Sequence, residues 1–240
     1  MIRKVRMAWV ALLLVLAAGG GLAGEAAAVQ VSEPGTAFAA QKMAGSMVYV
    51  IPISGTVEPG LASFVKRALR TAEKDASGGR KVAVLIEVGT FGGRVDAAVE
   101  IKDALLQSKV PVISFVKERA WSAGALITLA GEHIVMAPGS SIGAAEVRAE
   151  DGRPVDEKYI SAFRTEFAAT AESRGRDPQI AAAMVDKDIA IPGVVESGKL
   201  LTLTATRAKE LNFIDQVAAN RGEVLRLYGF GEALVVEISM

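Results

Sequence analysis

Ser122 stands in Trp121-Ser122-Ala123-Gly124-Ala125, between an apolar run with strand character and an apolar run with helix character. No bulky side chain follows its hydroxyl. Upstream lies the pair Gly92-Gly93, between a buried-strand pattern and a helical one, and downstream Lys158 opens a further helical pattern. Each feature alone has an ordinary explanation. A serine at a helix start usually caps it, two glycines after a strand usually turn the chain, and most lysines are solvated. In this order, however, they supply a nucleophile, backbone N–H groups for an oxyanion, and a base, which is the equipment of acyl transfer. The chain has a single histidine, His133, set between Glu132 and an apolar strand and read as structural. An enzyme here would therefore run on serine and lysine. Lysine takes a proton only when neutral, a form favoured by burial and by a place in the first turn of a helix; Asp156 and Glu157 oppose it.

Other candidates are weaker. Lys187, in Asp186-Lys187-Asp188, competes as the base but reads as exposed. Ser140-Ser141 either shape a substrate-side loop or turn the chain. Ser197-Gly198-Lys199 lacks the earlier glycine of a phosphate-binding loop.

The elements that must position these residues alternate. Val48 to Ile53 predicts a strand ended by Gly55 and Pro59-Gly60, followed by a helix carrying Leu61, Phe64, Val65, Ala68, Leu69 and Ala72 at helical spacing. The nearly continuous apolar run Val82 to Val88, interrupted by Glu87, predicts a strand buried on both faces. Gly89 to Arg94 reads as a turn, and Val95 to Leu106 as a helix. Further strands are expected at Val110 to Val116 and His133 to Met136. Helices are expected at Ser122 to Ala130, Asp156 to Ser173, Asp177 to Asp186 and Ala205 to Leu211, with a loop from Pro138 to Pro154. This succession predicts an α/β fold whose parallel strands are joined by crossovers.

Composition narrows the chemistry. In 240 residues, 51% are hydrophobic, ample for a core, and 27 basic side chains balance 27 acidic ones. Such a chain builds no basic field for nucleic acid. Without cysteine there are no disulfides, thiolate nucleophiles or cysteine zinc sites, and one histidine argues against a histidine-rich metal centre. No metal and no cofactor is expected. Arg3, Lys4 and Arg6 precede the apolar run from Met7 to Ala18 and then small residues, the pattern of a bacterial secretory signal or N-terminal anchor over residues 1–28. Residues 29–45 read as a linker, and 46–240 as the folded domain, exported across the membrane.

The segments Val48 to Gly55, Gly92-Gly93-Arg94-Val95, Ala120 to Ala125 and Met136 to Ala144, with the Lys158 helix and Arg174-Gly175-Arg176-Asp177, resemble the peptidase domain of the NfeD family. These are membrane-associated relatives of Clp peptidase and signal peptide peptidase A. The resemblance spans about residues 46 to 220. It implies a Clp-crotonase fold, a spiral of repeated ββα units with the site at a cleft. It implies Ser122 as nucleophile and Lys158 as general base. Gly92, Gly93 and Ala123 become the oxyanion and substrate-binding positions, the N–H groups of Gly93 and Ala123 donating. It also implies peptide substrates with apolar stretches, stomatin-like membrane proteins among them, and a homo-oligomer, dimer or larger. Two departures stand out. Phe91 occupies the place of the proline usual before the glycine pair. The sequence ends at Ile238-Ser239-Met240 without the transmembrane helices of many relatives, as a short form or a fragment would.

Three functions fit: an exported serine endopeptidase with a Ser-Lys dyad, a crotonase-like acyl-CoA enzyme, and a Clp-fold binding or scaffold module without catalysis. The export signal argues against CoA chemistry, which is cytoplasmic. Phe91 keeps the binding module as the alternative.

Overall fold

A computed structural model of the chain describes residues 45–149 and 151–240. The expected signal segment (1–28) and all but the last residue of the expected linker (29–45) lie outside the described residues.

The described strands are β1 (Met47–Val57), β2 (Val82–Gly93), β3 (Val112–Trp121), β4 (His133–Met136), β5 (Ser141–Gly143), β6 (Thr202–Thr204), β7 (Gln216–Val217) and β8 (Leu234–Glu237). The helices are α1 (Pro59–Ser77), α2 (Val95–Leu106), α3 (Ala123–Leu129), α4 (Glu157–Ser173), α5 (Pro178–Ala183), α6 (Ala205–Glu210) and α7 (Arg221–Leu227). One sheet runs in the order β6-β5-β3-β2-β1-β8, with β4 joining β3 to β7. Every pairing is parallel except β5 with β6. Parallel strands require helical crossovers, which cover both faces.

That burial explains the continuous apolar runs. Tyr49, Ile51, Ile53, Val84 and Ile86 point into the larger core beneath α1 to α4. Val48, Val50, Ala83, Leu85, Ile113 and Phe115 fill a smaller core under α7. Helix α1 starts at Pro59, whose missing N–H costs nothing at a helix start, and buries Leu61, Phe64, Val65, Ala68, Leu69 and Ala72 along one stripe.

Three central strands run longer than their apolar cores predict. β1 passes Gly55, at φ 70°, and ends at Val57. β2 runs through Gly89 to Gly93, so the expected turn is strand, with the register shifting between Val88 and Thr90 against β3 and between Ser54 and Thr56 against β1. β3 reaches Trp121 and delivers Ser122 directly into α3. Within the expected loop after Pro138, Ser141 to Gly143 forms β5.

The C-terminal arm is fastened by one buried carboxylate. Glu87, on the smaller-core face, accepts from Arg221 Nε at 2.7 Å and Nη2 at 3.1 Å, with Lys117 Nζ at 3.5 Å; Arg221 also reaches Glu237. Burial pulls the Glu87 carboxyl up, but Arg221 and then Lys117 outweigh it and hold it below the ordinary carboxylate value. A depressed native value means stability that is complete above about pH 4.5 and lost as pH falls through the native value. Glu87→Gln should cost about 2 kcal/mol at pH 7 and flatten the loss of stability between about pH 5 and pH 3. Urea midpoints across that range would test it; parallel curves for the two proteins would refute it.

Candidate active site

Ser122 joins β3 to α3 with φ 52° and ψ −121°. A side chain at positive φ is strained by about 1–3 kcal/mol and persists only where its surroundings impose it. Here the Ser122 N–H donates to Gly143 O at 2.9 Å, and Ser122 O accepts from Ala125 N at 2.9 Å. Although Ser122 occupies the N-cap position, its side chain makes no capping hydrogen bond. The ordinary reason for a serine at this place is therefore missing, and Ser122 sits half-buried on a sharp strand-to-helix turn, the geometry that presents the nucleophile in α/β-hydrolases.

The glycine pair divides its work. Gly92 lies at φ 114°, and a Cβ there would come within 2.7 Å of Ser122 Cβ and 3.2 Å of Ser122 Oγ. Its N–H donates to Thr90 Oγ1 at 3.0 Å. Gly92 is thus a steric neighbour of Ser122, and its own N–H is taken by Thr90. Gly93 is exposed and pairs with Val57, where a Cβ would fall on the Val57 carbonyl oxygen. Arg94 N–H donates to Val57 O at 2.8 Å.

Thr90 organises this corner, and no sequence signal singled it out. It is buried, donates through Oγ1 to Gly55 O at 2.5 Å, and accepts from Gly92. Its methyl lies so close to α3 that a Cβ on Gly124 would meet it at 2.6 Å. At the far end of α3, Arg174 donates to Ala130 O at 2.9 Å. The buried Arg176 donates to Gly131 O at 3.2 Å, Glu132 O at 3.1 Å and Asp215 Oδ2 at 3.0 Å. The short helix carrying Ser122 is therefore held at both ends.

Lys158 is in the first turn of α4 as expected, but its side chain is exposed and its Nζ lies 4.9 Å from the centre of the Tyr159 ring. No hydrogen bond joins it to Ser122 among the described residues, and the burial that its role requires is absent from this arrangement. The rival residues are occupied elsewhere. Ser140 Oγ donates to Ala137 O, Ser141 Oγ accepts from Trp121 Nε1, and His133 stacks on Tyr228 at 4.2 Å. Lys187 is exposed.

Several apolar side chains on these segments are exposed. Phe91 is 67% exposed, stands edge-on to Trp121 at 5.4 Å, and carries the Arg119 guanidinium 4.5 Å above its ring. Val95 and Tyr159 are also exposed. Beyond Gly143, whose partner across the sheet is Thr202, opens a cavity of about 710 Å³ lined by Ile191, Val194, Val195, Leu200 and Leu201 among others. Among the described residues no cluster could hold a metal ion, and no helix is long and apolar enough to cross a membrane.

A mixed sheet with a strained serine between β3 and α3 defines an α/β protein of the Clp-crotonase type, and solved structures bear this out. Two are variants of a membrane-bound stomatin-specific protease, one serine-to-alanine and one lysine-to-alanine with a substrate peptide bound. Each has a TM-score of 0.69 at 28% identity over 82% of this chain, covering 99% and 94% of those chains. ClpP1 from Listeria monocytogenes, 19% identical with a TM-score of 0.53 over 79% of this chain and 98% of its own, supports the fold alone. Residues 47–238 match the family model of the NfeD1b N-terminal domain, and the chain belongs to that family. Membrane protein NfeD1b of Bacillus subtilis is 39% identical over 189 residues, 78% of this chain and 42% of that protein. Membrane-bound protease PH1510 of Pyrococcus horikoshii is 32% identical over 192 residues, 77% of this chain and 40% of that protein. The chain thus matches about two fifths of the length of either relative.

Proposed function

We propose that this chain is the peptidase module of an exported, membrane-associated serine endopeptidase. Ser122 Oγ attacks the scissile carbonyl as Lys158 Nζ takes its proton. The N–H groups of Gly93 and Ala123 hold the oxyanion, the lysine returns the proton to the leaving amine, and water then releases the acyl group. The observation that carries this reading is the strained Ser122, whose hydroxyl caps nothing. A peptide laid over Lys158 excludes water from around its side chain. The exposed Phe91, Val95 and Tyr159 and the apolar cavity beside Gly143 suit apolar segments. A stomatin-like membrane protein is the substrate class suggested by the relatives' names, and a dimer or larger homo-oligomer is the working form.

One observation favours the alternative, a Clp-fold binding module without catalysis: Lys158 rests over Tyr159 instead of Ser122. Labelling by a fluorophosphonate at mildly alkaline pH separates the two. The peptidase reading expects modification at Ser122 that falls by about 10³-fold in Lys158→Ala. Folded protein that stays unlabelled would favour the binding module, and equal labelling of the Lys158→Ala variant would remove lysine from the mechanism.

A further inference from the structure

Lys102 is a nearly buried charged side chain that the mechanism leaves unused. Its side chain is only 9% exposed, yet it ends in two ion pairs, with Asp103 at 2.5 Å and Glu166 at 2.7 Å. Burial pulls the ammonium down, but both carboxylates outweigh that and hold it above the ordinary lysine value. The two contacts differ in kind. Asp103 is the next residue on α2, so that pair ties α2 to itself. Glu166 is on α4, so the second pair joins two helices 64 residues apart in sequence.

Those helices hold the two halves of the proposed chemistry. Helix α2 follows directly from Gly93-Arg94, and α4 begins at Glu157-Lys158. Lys102 lies eight residues beyond Arg94, and Glu166 eight beyond Lys158. At 1.5 Å per residue, the clasp sits about 12 Å from each functional end. Helix α3, which starts at Ser122, packs against both α2 and α4. Lys102 is nearly buried while Glu166 is 39% exposed, so separating the pair leaves a buried lysine charge without this partner. The arrangement has a cost in desolvation and is poorly explained as a device for stability, since an apolar contact would serve as well.

We infer that Lys102 and Glu166 form a positioning clasp that fixes the start of α4, and with it Lys158, relative to Ser122 and the Gly93 loop. This rests on the Ser-Lys reading above. The clasp acts through Lys158 and touches no substrate. Breaking it leaves α4 packed through its buried Phe163 and Phe167 but frees the helix to tilt about them, and a displacement near 1 Å at a reacting group costs about 10²-fold in rate.

The test is the fluorophosphonate reaction resolved into kinact and KI for the full chain, at a temperature where every variant is folded by near-UV circular dichroism. Glu166→Gln and Lys102→Met should lower kinact about ten- to a hundredfold with KI little changed. Asp103→Asn removes the contact within α2 only and should stay within about twofold of the parent. Lys102→Arg, which keeps the charge, should recover most of the rate lost in Lys102→Met. If Lys102→Met does not fold, Glu166→Gln reads the same contact from a partly exposed side chain. A loss in Asp103→Asn equal to that in Glu166→Gln would overturn the clasp, since local charge would then explain both. So would parent kinact in Glu166→Gln when Lys158→Ala is inactive, and that result would leave the Ser-Lys reading standing. Parent labelling in Lys158→Ala would fell both.

Discussion

Ser122→Gly should abolish labelling and peptide cleavage while making the protein more stable. Removing the nucleophile of a serine hydrolase costs about 10⁴-fold or more in turnover, because no other group forms the acyl intermediate. The stability gain comes from the backbone. At φ 52° and ψ −121° a serine bears about 1–3 kcal/mol of strain that glycine does not. Glycine gives back about 0.5–1 kcal/mol through the greater entropy of its unfolded chain. The net gain is about 1 kcal/mol, or about 2–4 °C in Tm for a domain of this size. Ser122→Ala is equally inactive but keeps a Cβ at the same φ, so its Tm should stay within about 2 °C of the parent. The pair separates two properties that inactivation alone confounds. Equal melting temperatures for the glycine and alanine variants would show that the turn is relaxed, and the main argument for a functional serine would go with it.

Gly93→Ala should be the most damaging single-methyl change in the site. An added Cβ would fall on the Val57 carbonyl oxygen and within 2.5 Å of Val57 N. Both are backbone atoms of the paired strand, so no rotamer change relieves the clash. Overpacking of this kind costs about 3 kcal/mol or more, a drop of about 6–12 °C in Tm. The route to relief is for β2 to move away from β1, which displaces the Gly93 N–H, the oxyanion donor in the proposed mechanism; loss of one such donor costs about 10²–10³-fold in rate. Gly92→Ala offers a useful contrast. Its Cβ meets Ser122 Cβ at 2.7 Å and Trp121 O at 3.1 Å, and its φ of 114° adds strain of its own, so the β3–α3 turn is displaced while the β1–β2 pairing survives. Thermal melts with labelling rates on both variants would test this. A Gly93→Ala protein with parent stability would mean that the two strands are not held this close.

Local pattern was enough to read much of this chain. The nearly continuous apolar run Val82 to Val88 requires a strand covered on both sides, because side chains on both of its faces then meet core. The helical stripe of α1 requires one buried face. The order Gly92-Gly93, Ser122, Lys158 names the candidate chemistry from residue types alone. These features depend on neighbours within a few positions, which is why they are legible.

What the tertiary structure decided depends on partners far along the chain. Gly89 to Gly93 looks like a turn, yet it continues β2 because Thr56 and Val57 are there to pair with it. The strain at Ser122 comes from Gly143, which takes its N–H, and from the closeness of Gly92. Thr90, unremarkable in sequence, becomes the post between β1, Gly92 and α3 because Gly55 and Gly124 present a carbonyl and an open face to it. Likewise, nothing near Lys102 in sequence announces Glu166. Residue type and period are written locally, but which backbone groups and charges meet is settled only when the sheet closes and long-range contacts impose conformations that local preference alone would refuse.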